Sequence, residues 1–200
     1  TDDRIAIQTA LNDCSAAGGG QVYLPAGVYL LASGSLLLPD GANLVGAGMN
    51  VSTLKLGDGV DGPVITDLSA GYPGAYAFGR VRLAHFAIDG NRQNNVMGAE
   101  GIFTTAYYSV FEQVYVHDCQ THGIHVGFAQ MKNSASQNWI RGCRITDCGG
   151  AGIYLDIQGT DHSVSDNYIH DCDYGVVINN GGVRVINNDI FANRQAAIKV

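Results

Sequence analysis

Between Phe111 and Asn180 apolar and polar residues alternate in short bursts, and the bursts repeat. Val114-Tyr115-Val116-His117-Asp118-Cys119 leads to Gly123-Ile124-His125-Val126. Cys143-Arg144-Ile145-Thr146-Asp147-Cys148 leads to Gly152-Ile153-Tyr154-Leu155. Asn167-Tyr168-Ile169-His170-Asp171-Cys172 leads to Gly175-Val176-Val177-Ile178. Alternation at period two is the strand signal, and self-similarity at about 20 to 30 residues marks a solenoid. Each repeat holds two strands broken by Asp, Gly or Asn, where the chain turns. Helix-forming stretches are missing between the strands. The pattern therefore predicts an all-β parallel β-helix, with rungs about 4.8 Å apart.

Laying the repeats over one another assigns faces. Val116, Ile145, Ile169 and Ile190 form one inward column, and Ile124, Ile153, Val176 and Ile198 form another. His125, Tyr154, Val177 and Lys199 fall between them and are expected to point outward on one sheet, with Gly127, Asp156 and Asn179 two residues on. The repeats are longest around Cys119, and the extra residues belong in loops, where such folds build sites.

The N-terminus follows a different period. Ile7, Ala10, Leu11 and Cys14 recur at helical spacing, and Gly18-Gly19-Gly20 stops the run. Thr1-Asp2-Asp3 reads as an N-cap with acids in the first turn. The expectation is one domain over 1–200, with an amphipathic helix in 1–18 covering the open end of coils in 22–200. Both ends read as incomplete. Further coils or a homo-oligomer are expected to cover the C-terminal rung.

Composition narrows the class. Gly is 27 of 200 residues, as a chain that turns this often requires. Hydrophobic residues are 46% of the chain, yet no apolar run approaches a membrane span, and no signal-peptide pattern opens it. A net charge of −7 without a basic stripe argues against a nucleic-acid partner. The five cysteines lack CxxC spacing and read as small buried apolar residues.

The N-terminal half carries a resemblance. Thr1-Asp2-Asp3, Ala6-Ile7-Gln8, Gly18-Gly19-Gly20, Val22-Tyr23-Leu24-Pro25-Ala26-Gly27-Val28-Tyr29, Leu44-Val45-Gly46-Ala47-Gly48-Met49 and Ile88-Asp89-Gly90-Asn91-Arg92 resemble the pectate-lyase-like superfamily. More narrowly, they are similar to the catalytic modules of bacterial mannuronan C5-epimerases. The resemblance implies a right-handed coil and an extracellular or cell-surface protein that meets a polysaccharide. The family's Tyr-Gly-Phe-Asp-Pro-His motif falls on residues 122–127. There His122 stands in place of Tyr, His125 in place of Asp and Gly127 in place of His. In the next coil Asp156 matches a catalytic-site Asp of the family.

The residues that stand there still form a coherent set. Uronate lyases and epimerases need a base, an acid and a group that neutralises the sugar carboxylate. His125 or His122 is the expected base, Tyr154 the acid, and Asp156 the orienting or neutralising group. Arg92, Phe128, Lys132 and Asn179 are the expected substrate-binding residues, Arg92 as a carboxylate fork and Phe128 as a platform for a sugar ring. His117-Asp118 and His170-Asp171 read as turn punctuation, so no metal site is expected there. Asp58 and Asp61 are the candidate loop ligands for calcium. The expected function is lyase- or C5-epimerase-like action on a uronate polymer. The competing reading is a non-catalytic carbohydrate-binding adhesin or phage tailspike segment.

Overall fold

The computed structural model describes residues 1–67, 79–127, 135–157, 160–179 and 181–200. Among them, strands form three parallel sheets of seven. The first sheet runs from Val22–Leu24 through Val110–Glu112 to Arg184–Ile186, and the second from Gly27–Leu31 through Tyr115–His117 to Asp189–Phe191. The third starts at Leu36–Leu37, passes Ile124–Val126 and Ala151–Leu155, and ends at Ala196–Lys199. Each turn of the chain visits the three sheets in that order, so the architecture is the predicted parallel β-helix.

The strand count per coil differs from the sequence expectation. Two strands were expected and three are present. The first-sheet strands, such as Trp139–Arg141 and Ser163–Ser165, carry exposed Trp139 and Arg141 or two serines around one buried apolar residue. One apolar position in three residues is too short a signal for periodicity to register.

The inward columns pair in the expected register. Val116 sits opposite Ile88 and Ile145, and Ile153 opposite Ile124 and Val176. All six are fully buried, each contributing about 1.5–3 kcal/mol relative to exposure. Gly123 explains the glycine column. A Cβ there would lie 2.6 Å from Ile145 Cγ2 and 2.7 Å from the Gly152 carbonyl oxygen. The turn after the second sheet uses Asp118, Asp147 and Asp171, with φ of 53°, 58° and 58°. Asp tolerates this left-handed region because its short polar chain bonds locally.

The helix spans Arg4–Ala16 and buries Ile7 and Leu11. Its leading acids also reach beyond the helix, although Asp2 Oδ1 accepts the N–H of Arg4, the first helical residue, at 3.2 Å. Asp3 makes no side-chain cap bond; its Oδ2 accepts the Leu30 N–H at 2.8 Å, and Asp2 Oδ1 accepts the Ala32 N–H at 2.9 Å. These carboxylates pin the helix to the strand edge, where backbone donors lack a ladder partner. Among the described residues no helix is long and apolar enough to cross a membrane.

Candidate functional site

The site is built on the third sheet, from neighbouring rungs. Parallel pairing places His125 between Phe103 and Tyr154, and Tyr154 next to Val177. Rung spacing and outward orientation bring the rings together. Phe103 stacks on His125 with centroids 4.3 Å apart, and His122 stacks on Tyr154 at 4.4 Å. His125 meets Tyr154 edge-on at 4.8 Å.

Two carboxylates flank His125. Glu100 Oε1 lies 3.1 Å from Nδ1, and Asp156 Oδ2 lies 3.7 Å from Nε2. Each of the three side chains is only 12–13% exposed. Nε2 itself is buried and has no hydrogen-bond partner among the described residues. The Glu100 carboxylate accepts only, so it favours the tautomer with the proton on Nδ1 and a bare lone pair on Nε2. His122 is set the opposite way. Its Nδ1 accepts the Ala151 N–H at 2.9 Å, which leaves the ring proton of the neutral form on Nε2. Burial holds its pKa below the usual histidine value, against the opposing charges of Glu100 and Asp156.

Tyr154 Oη accepts a hydrogen bond from Asn179 Nδ2 at 2.6 Å. Its own proton is therefore left for a second partner. Burial and the Asp156 charge push the phenol pKa up, offset in part by the Asn179 bond.

The structure brings His122, His125, Tyr154, Asp156 and Asn179 together. Arg92 stands apart, its Nη1 reaching the Asp147 carbonyl at 3.4 Å on the turn after the second sheet. Phe128 and Lys132 lie outside the described residues. Val177 holds its expected place in the outward column, yet it is only 4% exposed. It occupies the outward column between Tyr154 and Lys199, whose longer side chains flank a short one. Sequence reasoning missed Glu100 and Phe103. Both were available from the columns, because Phe103 shares the position of His125, and Glu100 precedes Gly101 as His122 precedes Gly123.

For cations, Asp58 Oδ1 is already occupied by amide donors of Asn91 and Asn94, at 2.8 and 3.0 Å. Asp89, His117 and Asp118 bring ligand atoms within 4.8 Å of one another, but Lys55 Nζ sits 2.5 Å from Asp89 Oδ2 and supplies a positive charge there. His117-Asp118 and His170-Asp171 each pair within themselves, at 2.7 and 2.6 Å, as repeated turn geometry requires.

Residues 66–200 match the family described as "Right handed beta helix region", and the chain belongs to it. Within that class it is similar to enzymes of Azotobacter vinelandii. It is 41% identical over 110 residues to mannuronan C5-epimerase AlgE3, covering 52% of this chain and 6% of that protein. It is 35% identical over 111 residues to alginate lyase 7, covering 52% of this chain and 13% of that protein. The solved A-module of mannuronan C-5 epimerase AlgE4 superposes with a TM-score of 0.78 at 29% identity, covering 99% of this chain and 55% of that one. The chain thus spans about half of that module and a small part of the full-length relatives.

Proposed function

We propose that this protein is a lyase- or C5-epimerase-like enzyme acting on a uronate polymer through removal of the sugar C5 proton. The observation that carries the reading is His125 held between Glu100 and Asp156, with Tyr154 on the adjoining rung. The similarity to mannuronan C5-epimerases and an alginate lyase supports the substrate class.

Of the two candidate bases, the geometry favours His125. Glu100 draws the proton to Nδ1, so Nε2 is the atom with a lone pair to take a proton. Asp156 then faces the imidazolium that forms, at 3.7 Å. Because Nε2 is buried, substrate entry has to part the side chains over it. His122, with its proton on Nε2, is a donor, and its task is to hold the sugar carboxylate as negative charge spreads onto it during C5 deprotonation. Tyr154 is the acid. It delivers its proton to the glycosidic oxygen in elimination, or to the opposite face of C5 in epimerisation. Asn179 then stabilises the phenolate left behind.

The site would meet its polymer outside the cell or at its surface.

The test is the ultraviolet absorbance of the unsaturated uronate, followed on mixing the protein with alginate, pectate and glycosaminoglycan polymers. Rising absorbance establishes elimination. A flat trace with inverted C5 centres in the recovered polymer establishes epimerisation. A flat trace, unchanged polymer and retained binding would support the adhesin or tailspike reading instead.

A further inference from the structure

The candidate site is rich in negative charge. Glu100 and Asp156 both border it, and the protein carries a net charge of −7. A polyuronate brings one carboxylate per sugar, so attraction has to come from somewhere along the groove. Arg92 is turned to the Asp147 carbonyl. Lys55, Arg80, Arg82, Arg141 and Arg194 are engaged with Asp89, Asp40, Glu112, Glu112 and Asp173.

Lys199 differs from them. It stands in the outward column of His125 and Tyr154, in register with Val177 on the last rung. Among the described residues it has no ion-pair partner; its Nζ rests 5.0 Å from the centroid of the Tyr174 ring. The Tyr174 hydroxyl is tied to the Gln195 side chain, which fixes that ring. A cation over a ring face keeps its full charge and is held without neutralisation. Both side chains retain solvent access.

We propose that Lys199 and Tyr174 form a distal subsite for the uronate chain, Lys199 binding a sugar carboxylate and the Tyr174 ring edge packing on the sugar. This rests on the uronate reading of the site and extends it. Three rungs separate His125 from Lys199, about 14 Å at the strand spacing. A polymer lying along the sheet spans both, and a dimer seated at His125 does not. Asn179, bonded to Tyr154, bridges the intervening rung. The subsite would select for longer, charged chains and set the direction in which the polymer lies.

The experiment is calorimetric titration of the wild-type chain, Lys199→Gln and Lys199→Arg with hexamers and dimers of mannuronate, guluronate and galacturonate. Lys199 is exposed, so both variants should fold, and equal melting temperatures check this. The expected result is hexamer affinity about fivefold weaker in Lys199→Gln, the size of one exposed charge pair, restored in Lys199→Arg and shrinking as salt is raised. Dimer affinity stays unchanged. Unchanged hexamer affinity in Lys199→Gln, or equal loss for dimers and hexamers, overturns the subsite and leaves the uronate reading standing. A wild-type chain that binds none of the hexamers overturns both.

Discussion

Glu100 Oε1 and His125 Nδ1 lie 3.1 Å apart, joining the residue just ahead of one third-sheet strand to the middle of the next. A carboxylate on one ring nitrogen fixes which nitrogen is left to react. Glu100→Gln keeps the shape but can donate to Nδ1, which turns the lone pair the wrong way. Turnover should fall by about 100-fold, the scale of general acid–base catalysis, with polymer affinity changed little. Initial rates and a binding titration on the same variant check this. Undiminished turnover would remove Glu100 from the account.

Tyr154→Phe separates the acid from the stacked ring. The phenyl group keeps its packing against His122 and loses only the proton. The expected outcome is a fall in kcat of about 100-fold or more with KM changed less. Asn179→Ala leaves the hydroxyl in place and should have the smaller effect. A larger loss in Asn179→Ala would mean that the phenol acts only as its anchor.

His162 predicts a pH dependence of stability. It is 2% exposed, and burial lowers its pKa to about 4. An unfolded histidine titrates at about 6.5. The unfolded chain therefore takes up the proton first as pH falls. The stability linked to this group is complete above about pH 6.5 and is lost progressively down to about pH 4. A shift of this size corresponds to about 3 kcal/mol at most. Urea unfolding at a series of pH values should show the decline, and His162→Gln should flatten it. A slope unchanged in the variant would assign the decline to other groups.

The thiols give a direct check on the coil. Cys119, Cys143, Cys148 and Cys172 are buried, and Cys14 is partly exposed. Burial pushes the Cys143 thiol up to about 12, and Cys148 is also raised, chiefly through its bond with Cys119. A thiolate-selective reagent should label Cys14 alone in the native protein and all five cysteines after denaturation. Rapid native labelling of Cys148 would contradict the inward cysteine column.

The coil was legible in the sequence wherever a column repeated. Val116, Ile145 and Ile169 announced one inward face, and Gly123, Gly152 and Gly175 marked the close approach of adjoining rungs. The first-sheet strands were not legible, because Ser163-Val164-Ser165 offers one buried residue and no alternation to read. Most of the site was legible for the same reason as the core: His125 and Tyr154 share a column. Glu100 was overlooked because it lies ahead of the strand Ile102–Thr104, outside the column that His125 and Tyr154 share. Asp3 stands at the N-cap as read, but the bonds of Asp3 and Asp2 to the N–H groups of Leu30 and Ala32 were not legible, because those donors are distant in sequence.

The most direct test of the central claim is proton NMR of polymannuronate, polyguluronate and polygalacturonate incubated with the protein in deuterated water. The account predicts loss of the C5 proton signal on at least one polymer, by exchange with solvent or by formation of the C4–C5 double bond. It also predicts that this loss disappears in the His122→Gln, His125→Gln double variant. C5 protons left intact by the wild-type protein on polymers that it binds, or turnover that survives in the double variant, would contradict it.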